Sequence, residues 1–264
     1  LLYADATRCF FLEGDLYRGF LAHLRATALF QAQGNRHWHA VAMLLLGQFQ
    51  QALGRPTVAA ATLREARALA LACGTHFYAT IHHLHLGMWL ASETDATSHA
   101  EARAIAETYV GRTDLGPAIA GASESILAAV AAHDGDLDAA ASAAARAVAS
   151  FVVMLPYRLV ATALLVDILL QLGRVAEARE AAEDALRALA VEGGAGYGEV
   201  ELHTAVLAAR LADGDRDGAR LAAQTALAAL QRRIDAIDDP ELRADYEALP
   251  GHRRLVALAA ASRT

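Results

Sequence analysis

The sequence has little cysteine, little proline and no cluster of basic charge. Its two cysteines in 264 residues, Cys9 and Cys73, form no disulfide framework. That number suits a reducing compartment, so a cytoplasmic location is expected. Lys and Arg total 23 against 30 Asp and Glu, a formal net charge of −7. The densest basic groups are only Gln231-Arg232-Arg233 and His252-Arg253-Arg254. Phosphate binding needs clustered Lys and Arg, which argues against nucleic acid as a partner. Long hydrophobic runs are missing as well. The most apolar stretch, residues 159–170, is interrupted by Asp167 and falls short of the roughly 20 residues a spanning helix needs. The mean hydropathy of +0.26 therefore reads as helices buried on two sides, not as a membrane segment. No basic stretch followed by an apolar core and a small-residue cleavage site opens the chain. The sequence begins Leu1-Leu2-Tyr3, already inside a helical pattern and without Met, so a fragment of a longer protein is expected. No phosphate-binding, dinucleotide-binding or nucleophile-elbow motif occurs, nor the His-x-Glu with Cys-x-x-Cys of zinc deaminases. Gly193-Gly194-Ala195-Gly196 is glycine-rich, but no strand precedes it and no Lys follows. It reads as a joint between helices. No acid/base pair stands out, so neither an enzyme nor a cofactor is expected.

What the sequence does have is a repeat. A short turn, glycine-centred in all but one case, recurs at Gly14, Gly54, about Asp95, Gly135, Gly173 and Gly214, about 40 residues apart. An apolar helical stretch precedes each turn and an Ala-rich amphipathic stretch follows it. No segment alternates with period two, so no sheet is expected. Each unit reads as two antiparallel helices, A then B. Gly54 can take the positive φ that follows a helix C-terminus. Pro56 suits the first turn of a helix B, and Thr75 is the expected N-cap of the next helix A. Residues 1–237 form the array, with its first unit incomplete and its last helix reaching about Ile237. Residues 238–264, entered through the cap-and-proline pair Asp239-Pro240, form a C-terminal capping helix.

The pattern resembles the tetratricopeptide repeat family. In that family helix A carries Leu-Gly about eight residues before the turn, as Leu46-Gly47 and Leu86-Gly87 do here. Leu127, Leu165 and Val206 take the Leu slot in later units. Helix B carries a small residue five positions after the turn, matched by Gly19, Ala59, Ala100, Ala140, Ala178 and Ala219. A small residue there lets the two helices approach, and a larger one overpacks the joint by about 1–3 kcal/mol. The resemblance implies an all-α, right-handed superhelical solenoid of five to six helix pairs. Units near 40 residues exceed the usual 34 or so and resemble the long-period variety in large bacterial signalling proteins that carry an NTPase or kinase domain. The implied function is a non-catalytic protein-interaction or ligand-sensing module of a larger regulator.

Three groups of residues are candidates for binding. Aromatics near the start of helix A recur at His37-Trp38, Phe77-Tyr78, Tyr157 and Tyr197. Stacked repeats would set them in a row along one rim, as interface anchors or as packing between the lengthened helices. The family's concave face is lined by helix A, which places Gln48, Gln51, Met88, Ser125, Asp167, Gln171, Glu201 and Thr204 exposed along the groove. That set is too poor in basic residues to clamp a peptide carboxylate. The third group is histidine. Of 11 in the chain, His76, His82, His83 and His85 crowd one helix, with His37 and His39 one unit earlier. An all-helical metal enzyme could be built on them, but His82, His83 and His85 point three ways around a helix, and ordinary packing is the stronger reading. The partner expected is a protein, a peptide or a neighbouring domain. A homodimer through the open first unit, with Phe10, Phe11 and Leu12 seeking a neighbour, is the alternative.

Overall fold

The computed structural model describes residues 8–263, apart from the side chains of Phe10, Phe11 and Thr113. A short π-helical segment, Cys9–Glu13, opens it. Thirteen α-helices follow: α1 Leu16–Ala32, α2 Arg36–Ala52, α3 Pro56–Ala72, α4 His76–Leu90, α5 Ala96–Tyr109, α6 Pro117–His133, α7 Leu137–Ser150, α8 Leu155–Gln171, α9 Val175–Glu192, α10 Glu199–Ala212, α11 Arg216–Asp235, α12 Pro240–Glu247 and α13 Pro250–Ala261. No strand occurs among the described residues.

The helix boundaries follow from local chemistry. All five prolines sit in the first turn of a helix, at the heads of α3, α6, α8, α12 and α13, where the missing N–H removes no helical bond. The side chains of Asp15, Asn35, Asp95, Asp136, Asp215 and Asp239 cap helix starts by accepting backbone N–H bonds. Thr75 stands at the start of α4 but does not cap it. Its hydroxyl donates back to the Ala70 carbonyl at the end of α3.

Even-numbered helices from α2 to α10 are the A helices, and odd-numbered ones from α1 to α11 are the B helices. Consecutive A helices touch one another, and each of α3, α5, α7 and α9 packs between its own A helix and the next. This is an all-α helical-repeat solenoid. The small-residue slot is the fourth position of helix B, counted from the N-cap. Gly19, Ala59, Ala140, Ala178 and Ala219 occupy it, and the four alanines are fully buried. On the A side, a Cβ on Gly47 would lie 2.9 Å from Leu63, and one on Gly87 2.8 Å from Ile126. The third unit corrects the sequence alignment. Its turn has no glycine, and Asp95 is itself the N-cap. The slot therefore falls on His99, 4% exposed, while Ala100 faces solvent. His99 Nε2 bonds to the Glu93 carbonyl at 2.6 Å, while its buried Nδ1 finds no partner among the described residues.

The joint yields a graded prediction. Ala178→Leu and Ala219→Leu should each destabilise the fold by about 1–3 kcal/mol. Ala141→Leu should cost less, because Ala141 borders an open cleft beside Leu165 and Ala181 that can take the added carbons. Urea unfolding of the three variants tests the register, and equal losses would show that the fourth position is not the point of closest approach.

The capping segment is two helices, not one. Leu249, held extended (ψ 134°) before Pro250, ends the first helix and starts the second. The segment also does more than cover the last unit. α13 packs on α10 and α11, and Arg254 on α13 makes a two-pronged ion pair with Asp167 on α8. At the other end, Arg55 between α2 and α3 donates to Asp245 on α12 at 2.9 Å. The array thus winds back on itself. Leu16, Phe20, Leu45, Phe49 and Leu53 share one hydrophobic core with Leu202, Leu230, Tyr246 and Leu255. The Arg233 guanidinium, which donates to the Ala195 and Gly196 carbonyls, lies where a Cβ on Gly14 would be 3.3 Å away.

Candidate functional site

That winding divides the aromatic row into two places. His37, Trp38, Phe77 and Tyr78 form an external ladder on adjacent A helices. Trp38 stacks on Phe30 with centroids 6.1 Å apart, His37 meets Trp38 at 5.4 Å and Tyr78 at 6.0 Å, and Tyr78 meets Phe77 at 5.6 Å. Trp38 is 42% exposed and Phe77 57%. Tyr157 and Tyr197 do not join this rim. They lie inside, edge to face at 5.8 Å. Tyr157 is 6% exposed, and burial raises the Tyr197 phenol pKa well above its ordinary value.

The expected open row of groove residues is also rearranged. Gln48 and Thr204 are buried, 5% exposed each. The Thr204 hydroxyl bonds to the Val200 carbonyl of its own helix. Asp167 is taken up by Arg254, and Gln171 lies beside it at the helix end. Ser125 is half-buried, with its Oγ unpartnered among the described residues. Gln51 and Glu201 line a cleft at the seam between the first and last units, with Arg233 and Tyr246. The C-terminal half of the expected groove is therefore occupied by the chain's own α12 and α13. Sequence patterning marked these residues by helix face, and it carried no signal for which faces the returning chain would cover.

In the N-terminal half a cavity remains. Its volume is about 340 Å³, and it lies between α2, α4, α6 and the α7–α8 junction. Leu44, Ile81, Met88, Ile119, Phe151 and Met154 supply most of its wall. Three polar side chains meet there in a chain of hydrogen bonds. Tyr157 Oη donates to Gln48 Oε1 at 3.2 Å, and Gln48 Nε2 lies 2.8 Å from His85 Nε2. With the phenol donating to the amide oxygen, the amide N–H donates to His85 Nε2. His85 is then neutral and carries its proton on Nδ1. Burial pushes its pKa down to about 3, and the neighbouring His82 adds to the shift. Gln48 and Met88 are expected from the sequence as groove residues and Tyr157 as a rim aromatic, while His85 is expected as one of several packing histidines on its helix. Phe151 carries no signal in the sequence, because its role depends on the turn after α7.

The other histidines of α4 have separate partners. His82 reaches the Ala40 carbonyl on α2 at 3.0 Å and the Tyr78 carbonyl at 2.5 Å. His83 bonds to the Tyr109 hydroxyl at 3.0 Å. They point in three directions, and among the described residues no three His, Cys, Asp or Glu side chains converge as metal ligands would. None of the described helices is long and apolar enough to cross a membrane.

No protein-family model matches the chain, and no curated protein does. Among solved structures, 42 chains match. One is a tetratricopeptide repeat protein from Parabacteroides merdae ATCC 43184, 12% identical, which covers 100% of this chain over 98% of its own length at a TM-score of 0.42. A likeness that distant says nothing of what this chain binds. The helix pairs themselves, with a small residue at the fourth position of most B helices and contact between successive A helices, make the chain an all-α helical-repeat solenoid.

Proposed function

We propose that this chain is a non-catalytic interaction module that engages a partner protein, or a neighbouring domain of a longer bacterial regulator in the cytoplasm, through the aromatic ladder of α2 and α4. The exposure of Trp38 and Phe77 carries this reading. Trp38 and Phe77, partly exposed beside His37 and Tyr78, present aromatic surface to solvent, and such residues dominate interface energetics. The repeat supplies the rigidity, because successive A helices fix the spacing of the ladder. Occupation of the ladder would bias the packing of α2 on α4 and pass along the array to the seam.

The test uses a photo-crosslinking amino acid at position 38 or 77, with position 191, an exposed valine elsewhere (84%), as control. A discrete product from 38 and 77 but not from 191 is expected. Trp38→Ala and Phe77→Ala should each reduce capture of that product at least tenfold, the scale of an interface anchor. Equal products at all three positions would remove the ladder from the reading. A self-associating scaffold is favoured by one other observation, the exposure of Leu12, Leu24 and Leu29 at 65%, 39% and 51% on the first unit. Under that reading, light scattering should show a dimer at high concentration. The expected contributions of Phe10 and Phe11 lie outside the described side chains.

A further inference from the structure

We infer that the cavity between α2, α4 and α6 is a binding site for a neutral, largely apolar small molecule bearing one hydrogen-bond-accepting oxygen. This goes further than partner binding by the ladder and gives the array a ligand of its own. Three observations lead to it. The first is size: about 340 Å³ lies in the range of small-molecule sites and holds roughly ten or more non-hydrogen atoms, at the ~30 Å³ a water occupies in the liquid. The second is the wall, which is aliphatic and aromatic and includes no Lys, Arg, Asp or Glu. An anion or cation would lose its hydration there without finding a counter-charge. The third is the polar trio. Gln48 and Tyr157 are each more than nine-tenths buried, and their hydrogen-bond order fixes the tautomer of His85. His85 Nδ1–H then has no bonding partner among the described residues. A neutral donor in an apolar wall suits a ketone, ester, lactone or alcohol oxygen and does not suit a carboxylate. Entry is from the side where Phe77 and Val153, 57% and 80% exposed, stand at the lip.

The experiment is fluorescence titration with Prodan, a neutral naphthyl ketone, on the full chain. Saturable one-to-one binding with blue-shifted emission is expected. Ala122→Phe, which fills the cavity from α6, should weaken it at least tenfold while the thermal midpoint holds or rises. Should that variant fold poorly, Ala118→Phe at the same wall serves instead. His85→Leu should weaken Prodan about five- to tenfold and leave 2-ethylnaphthalene, which lacks the oxygen, within twofold. Non-saturable binding, or equal affinity in the filled variants, would overturn the site. Decanoate binding more tightly than Prodan would overturn the neutral-ligand assignment. None of these variants replaces a ladder residue, and crosslinking at position 38, which lies outside the cavity wall, is judged by itself whatever the outcome here.

Discussion

Gly54→Ala should cost more than about 3 kcal/mol and release the C-terminal helices from the array. Two effects combine at this turn. Gly54 has φ +83°, a left-handed conformation that costs a residue with a Cβ about 1–2 kcal/mol. The added Cβ would also lie 2.5 Å from the Asp245 carbonyl oxygen and 2.8 Å from its carbon. Those are backbone atoms of α12 and cannot rotate away, so α12 must move. Movement there would break the Arg55–Asp245 ion pair and open the buried surface of Leu242 and Tyr246. Gly135→Ala is the matched control. It has the same φ of +83°, and nothing lies within 4 Å of its Cβ, so it should show the conformational cost alone. Urea unfolding compares the energies, and limited proteolysis at residues 236–239 reports undocking. If both variants lose the same stability and resist cleavage alike, the seam at Gly54 contributes nothing to closure.

Acidification should destabilise the protein well above the range where carboxylates titrate. Burial holds His23 at a pKa of about 4 and His85 at about 3, against 6.5 for a free side chain. The folded forms stay neutral while the unfolded chain takes up protons below about pH 6.5. Stability from these groups is therefore complete above pH 6.5 and falls as the pH drops toward 4. Between pH 7 and pH 5 each of these two histidines forfeits about 2 kcal/mol. For His23 and His85 together that is about 4 kcal/mol, or roughly 10 °C in thermal midpoint for a chain of this size. His83, also lowered to about 4 by burial and by the Arg67 charge, shifts the same way. His85→Gln, which can still bond to Gln48, should flatten the profile by about one proton's worth of slope. A midpoint that holds steady or rises from pH 7 to pH 5 would contradict neutral burial of these rings.

Much of the solenoid was legible in the sequence because each unit repeats the same local physics. A glycine able to take positive φ, a capping Asp or Asn, a first-turn proline and a small residue one turn into helix B act over a few residues, so their spacing announces the helix pairs. The same counting failed by one residue in the third unit, where Asp95 replaced the turn glycine and His99, not Ala100, entered the joint. The direction of the α4 histidines was legible too, because three positions four residues apart or less fan around one helix.

The candidate sites were much less legible. A position on the concave side of an A helix is defined by local periodicity, but its exposure depends on residues far away. Asp167 meets Arg254, Arg55 meets Asp245, and Gln48 meets both His85 and Tyr157. Those contacts depend on the accumulated twist and curvature of six units, and a small angular change per unit moves the ends of the coil past one another. The sequence by itself determined the helices, their pairing and the joint inside each pair, since these are set by nearest neighbours. Only the tertiary structure decided that the coil closes on its own cap, that Tyr157 turns inward while Trp38 stays outside, and that a neutral apolar cavity is left beside Tyr157, because closure sums contributions no single repeat contains.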